Sequence, residues 1–100
     1  MRDIIYRPGA LADLDTIADY TKALWGDTQA AHYLHQIRAK VEALVAFPAI
    51  GSQVFGLPTA YRKIAAGHHR IIYRHTDSEV IVVRIIHERE DMSEGFDDVG

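Results

Sequence analysis

From Ala10 onward the apolar residues recur at steps of three and four. Leu11, Leu14, Ile17, Ala18, Thr21, Leu24 and Trp25 line one side of a helix, and Asp13, Asp15 and Asp19 fall on its other sides. The early acids suit the positive N-terminal end of a helix dipole. Gly26 is a natural stop, because glycine tolerates the positive φ that ends helices, and Asp27 or Thr28 is placed to cap a second helix. That helix carries its stripe on Ala30, Tyr33, Leu34, Ile37, Val41, Leu44 and Val45 and ends at Pro48. So short a link between two helices makes them antiparallel neighbours.

The pattern differs on either side of this pair. Asp3 to Arg7 reads as a short strand closed by Pro8 and Gly9. Residues 49–59 hold two glycines and a proline and read as loop, with several of Ile50, Val54, Phe55 and Leu57 tucked beneath it. A meander of three strands follows: Tyr61 to Ala66, His69 to His75 and Val80 to His87. Turns at Gly67-His68 and at Thr76 to Glu79 connect them. The last strand is almost wholly apolar and β-branched, so it is expected to be central and covered on both faces, with the N-terminal strand pairing in the same sheet. The expected fold is α+β: a strand, an antiparallel helical hairpin, then a three-stranded antiparallel meander.

Length and composition fit one domain. The chain has 100 residues, of which 48% are hydrophobic and 25% charged. It has no cysteine, so neither a disulfide frame nor thiol chemistry is available, in keeping with a reducing compartment such as the cytoplasm. The N-terminus has no long apolar stretch, so no signal peptide is expected, and no run reaches the length of a spanning helix. The net charge of −3 conceals a local basic excess. Residues 61–84 hold Arg62, Lys63, Arg70, Arg74 and Arg84 against Asp77 and Glu79. That is too few cations for a generic nucleic-acid binder. From Glu88 on the chain is acidic, and residues 90–100 are expected to form a flexible tail.

The candidate chemistry is sparse. Six histidines occur, but none at a recognised metal-ligand spacing, and no phosphate-binding glycine loop or nucleophile elbow is present. No metal and no cofactor is expected. Arg70 and Arg74 share one face of their strand with Ile72. A two-residue turn at Asp77-Ser78 places Arg84 opposite Ile71, on the other face. A one-residue slip would set it against Arg70, where like charges repel, so the first register is expected. An arginine within an apolar run needs a partner, either an internal carboxylate or an anionic group on another molecule. His87 ends the last strand with Arg89 two residues on, and the two are expected to share a face. His87 has both a structural and an acid–base reading, because histidine is the side chain suited to proton transfer near neutral pH. Trp25, at the tip of the hairpin, is the aromatic residue best placed to meet a partner.

The ordered series of these pieces is similar to one family. Y-R-P at 6–8, L-A-D-L-D-T-I-A-D-Y at 11–20, W-G at 25–26, L-V-A-F-P-A-I-G at 44–51, Y-R-K-I-A-A-G-H-H-R-I-I-Y-R at 61–74 and V-V-R-I-I-H-E-R at 82–89 together resemble the ParE branch of the RelE/ParE toxins. The resemblance spans about residues 5–89, with one departure: Glu90 stands where the family pattern carries methionine. It implies a toxin neutralised by a ParD-like antitoxin and directed at DNA gyrase, acting as a protein inhibitor and not as an enzyme. On that reading Tyr20, Trp25, Tyr61 and Ile64 are the expected antitoxin contacts, and Arg70, Arg74, His87 and Arg89 the expected target contacts. The related RelE branch implies an alternative, a ribosome-dependent messenger-RNA nuclease using Arg70, Arg84 and His87. A non-toxic protein-binding relative is a third.

Overall fold

In the computed structural model, which describes residues 1–90, strand β1 (Asp3–Tyr6) leads into helices α1 (Pro8–Trp25) and α2 (Asp27–Ala46). Strands β2 (Ser52–Gln53), β3 (Arg62–Ala66), β4 (His69–His75) and β5 (Glu79–His87) follow. The α+β class and the order of strand, helical hairpin and meander match the expectation. Strand β2 is an addition inside the stretch expected to be loop: two of its residues pair with Arg62 and Lys63. Nearly all of the expected acidic tail lies outside the described residues.

Pro8 occupies the first turn of α1, where its missing N–H would have no helical partner anyway. The helix therefore begins two residues earlier than its apolar stripe suggests. Asp13, Asp15 and Asp19 then lie beyond the first turn, which holds no acid, so the expected dipole complement is absent. Neither Asp27 nor Thr28 caps α2 with its side chain. A single residue makes the junction instead. Gly26, at φ 88° and ψ 173°, donates its N–H to the Lys22 carbonyl at 2.9 Å and accepts the Ala30 N–H at 3.1 Å. One residue thus closes α1 with its N–H and opens α2 with its carbonyl, and its positive φ favours glycine.

The sheet order is β1-β5-β4-β3-β2. β1 is parallel to β5, and every other pairing is antiparallel. Ala10, Leu14 and Ile17 of α1 and Ile37, Val41 and Leu44 of α2 bury one face of this sheet, packing on Ile71, Tyr73, Val80, Val82 and Ile85. The apolar stripe of α1 is narrower in contact than in sequence, for Leu11, Leu24 and Trp25 stay exposed. On the opposite face Val54, Ile72 and Ile86 form a smaller cluster with Leu57 and Tyr61. Val54 and Leu57 thus tuck under the 49–59 segment as expected, whereas Ile50 and Phe55 point to solvent. Tyr73 anchors the start of that segment from below. Its hydroxyl donates to the Pro48 carbonyl at 2.7 Å and accepts the Gly51 N–H at 3.0 Å.

The β4–β5 register corrects the expectation for Arg84. The turn forms as expected, with His75 opposite Val80 and Tyr73 opposite Val82. A β-bulge then intervenes, and Arg84 pairs with Ile72 instead of Ile71. The bulge falls where β1 stops: Tyr6 pairs with Val82, and the Arg7 N–H makes the last bond to the Val82 carbonyl at 2.9 Å. Beyond that point the edge of β5 is met by α1. The Asp13 carboxylate accepts the Ile85 N–H at 2.8 Å and grips Arg84 through Nε at 2.7 Å and Nη2 at 2.9 Å. A side chain at Gly9 would strike the Arg84 stem, which explains glycine in the first turn of α1.

Candidate functional site

The bulge has a second effect. Without it His87 would stand opposite His68; with it His87 stands opposite His69. The two rings meet edge to face, 5.4 Å between centroids and 83° between planes. Tyr33 of α2 closes the group on the helix side. Its hydroxyl lies 2.6 Å from His69 Nδ1, accepts the His68 N–H at 3.0 Å and reaches the Ala66 carbonyl at 3.4 Å. Gly67, at φ 59°, lets the turn pass directly under the Tyr33 ring, where any Cβ would collide. One phenol thereby ties the β3–β4 turn to the helical hairpin.

The electrostatics of this cluster follow from its burial. Desolvation raises the Tyr33 phenol above its ordinary value, so the hydroxyl beside His69 keeps its proton. Desolvation first, and the neighbouring His87 second, lower the His69 imidazole, which favours the neutral form. The Arg89 N–H donates to His87 Nδ1 at 3.2 Å, leaving the ring proton on Nε2. His68 stands out in solvent and pairs with Glu88 at 2.8 Å, and that bond lowers the Glu88 carboxyl.

These residues form one wall of a groove of about 560 Å³. Tyr20, Leu24 and Trp25 from the end of α1 form the facing wall, and Gln29 and Gln36 of α2 line it from below. Tyr20 is 67% exposed, Leu24 55% and Trp25 70%, so three large apolar side chains stand in water along one trough.

The structure divides both sets of expected contact residues. Tyr20 and Trp25 share the groove, but Tyr61 packs on the small cluster across the sheet and Ile64 packs against the main core. His87 lines the groove, while Arg70 lies on the opposite face beside Lys63, Ile72 and Ile86. Arg74, paired with Ile81, shares Arg70's face by strand alternation. Arg89 lies past the end of β5, so the alternation expected to align it with His87 does not extend to it. Arg84 is held by Asp13. The three groups of the nuclease alternative are therefore not convergent.

Tyr33 and His69 were not singled out by sequence reasoning. The repeated histidines at 68, 69 and 87 were the available signal, but the bulge decides which of them meet. Among the described residues no group of three or more metal-ligating side chains converges, and no helix is long and apolar enough to cross a membrane.

Comparison with known proteins agrees with this architecture. Residues 4–92 match the family model described as the ParE toxin of the type II toxin–antitoxin system parDE. The chain is 38% identical over 86 residues to Toxin ParE1 of Mycobacterium tuberculosis, covering 85% of this chain and 88% of that one. It is 35% identical over 79 residues to Toxin ParE1 of Caulobacter vibrioides, covering 79% and 81%. Among solved structures, a chain of the chromosomal ParDE system from P. aeruginosa superposes with a TM-score of 0.74 at 22% identity, over 87% of this chain and 96% of that one. The YoeB dimer from Staphylococcus aureus gives 0.66 at 16% identity, over 86% and 95%. These last two likenesses concern the fold alone. Taken with the family match and the curated relatives, the helical hairpin on a meander places this chain in the ParE toxin family of type II toxin–antitoxin systems.

Proposed function

We propose that this toxin acts in the cytoplasm as a protein inhibitor of DNA gyrase and is held inactive by a ParD-like antitoxin. The observation that carries the reading is the hairpin groove, where Tyr20, Leu24 and Trp25 stand exposed against the His69–His87 wall. An aromatic trough suits an apolar protein segment far better than a polyanion. An antitoxin tail leaving the groove has a sheet edge at hand, because β2 covers only Arg62 and Lys63 of β3 and stops short of Ile64. Tyr61 flanks that edge. Target contact falls to Arg70 and Arg74 on one face and to His87 and Arg89 at the sheet end.

The nuclease alternative is weaker on the same geometry. Cleavage of RNA needs cations and a proton donor around one phosphate, and here Arg84 is neutralised by Asp13 while Arg70 and His87 lie on opposite faces. The test is a supercoiling assay with purified gyrase. Inhibition, or accumulation of cleaved DNA, is expected at micromolar protein. No effect on gyrase together with ribosome-dependent message cleavage lost in His87→Ala would overturn the proposal in favour of the nuclease.

A further inference from the structure

The sheet face turned away from the helices carries a second cavity, of about 180 Å³, which the hairpin groove does not reach. Its walls are apolar: Val54, Ile72, Ile86 and the ring of Phe55. Phe55 is 98% exposed, an unusual position for a phenylalanine, and its ring lines this cavity. Two cations, Lys63 and Arg70, supply the polar side, with Glu90 at the margin.

The five cations of residues 61–84 are not equivalent once folded. Arg84 is consumed by Asp13, and the Arg62 head donates to the Ala49 and Gly51 carbonyls at 3.3 and 2.7 Å. Lys63 and Arg70 are half-buried, and neither makes an ion pair with another described residue. The strand register sets Arg70 between Ala65 and Ile86 and sets Lys63 beside Ile72. Cations held in largely apolar surroundings, and not ion-paired to a carboxylate of the described residues, are poised to accept one from outside. Two such groups beside an aromatic wall match a single carboxylate next to an apolar side chain. They do not match a phosphodiester track, which needs a row of cations.

We propose that this outer face is the target-binding surface, and that it recognises a protein segment in which an acidic side chain sits beside an aromatic or aliphatic one. The inference rests on the toxin reading above and narrows its target set: the antitoxin takes the hairpin groove, His87 included, and the target takes the outer face with Arg70.

The test expresses the full chain without antitoxin and reads growth arrest, with gyrase inhibition measured in parallel on purified protein. Lys63→Glu/Arg70→Glu should abolish arrest and weaken target binding by more than about a hundredfold, while its melting temperature and its co-purification with antitoxin stay at wild-type level. Phe55→Ser, at a position almost wholly in solvent, should blunt arrest without touching stability and serves if the double variant folds poorly. The matched reversal Arg38→Glu on the exposed side of α2 should arrest growth as wild type does. Arrest that survives in both Lys63→Glu/Arg70→Glu and Phe55→Ser overturns the proposal, as does equal loss in Arg38→Glu. Binding of poly(U) RNA that depends on Lys63 and Arg70 would overturn the protein-segment assignment. Arrest that depends on this face without any effect on gyrase would sink the gyrase reading and leave the surface standing. Gyrase inhibition unchanged by the variants would do the reverse, and a wild-type chain that arrests nothing would remove both.

Discussion

Asp13→Ala removes three acceptor contacts in one step. The carboxylate takes Nε and Nη2 of Arg84 and the backbone N–H of Ile85, bridging residues 71 and 72 positions apart. The Asp13 side chain is 16% exposed and the Arg84 side chain 30%, so the pair sits below the surface without being sealed. Stranding a fully buried charge costs about 3–5 kcal/mol. Because Arg84 retains a path to water, about 2–3 kcal/mol is the appropriate share here. The orphaned Ile85 N–H adds about 1 kcal/mol. The sum, about 3–4 kcal/mol, is a large fraction of the ~5–15 kcal/mol that holds a domain of this kind together. At about 4–8 °C per kcal/mol, the melting temperature should fall by about 12–30 °C. Thermal and urea melts followed by far-UV circular dichroism measure it. Asp13→Asn, which keeps an acceptor but not the charge, should lose clearly less. Asp13→Leu/Arg84→Met should recover much of the loss, since apolar replacement of a buried pair is often near neutral. A cost below about 1 kcal/mol for Asp13→Ala, or a double variant no better than the single, would refute the reasoning.

Three further outcomes follow from the same geometry. Tyr73→Phe leaves the Pro48 carbonyl and the Gly51 N–H without their partner and should cost about 2 kcal/mol by urea denaturation; a neutral result would mean water replaces the hydroxyl. His69 has a folded pKa below its ordinary 6.5, so the unfolded chain takes up a proton that the folded one resists. Stability should be full above pH 6.5 and fall as pH drops from there towards the lower folded value, and a slope that persists in His69→Gln would assign it to other groups. Trp25→Ala should weaken the antitoxin complex about thirtyfold or more in titration calorimetry at unchanged melting temperature, as truncating an interface aromatic does; equal affinity would move the docking site elsewhere.

The elements of this protein were legible in the chain because their causes are local. A 3.6-residue apolar period needs only its own neighbours to become a helix, and the β-branched run at 80–87 needs only flanking strands to be interior. Gly26 and the Asp77-Ser78 turn lie within a few residues of what they connect. The ordered motifs, and with them the toxin family, were also present in the sequence.

Tertiary structure alone decided the bulge between Val82 and Arg84, because its setting is where β1 runs out at Tyr6 and where Asp13, some seventy residues away, reaches the vacated edge. Pairing preference within the hairpin favours the unbulged register, and nothing local in the strand announces the change. From it follow the facing of His69 with His87, the ion pair that takes Arg84 out of the cationic set, and the separation of Arg70 from His87 across the sheet. Sequence specified which side chains exist and which elements carry them. The folded ladder, a long-range object, determined which of them meet.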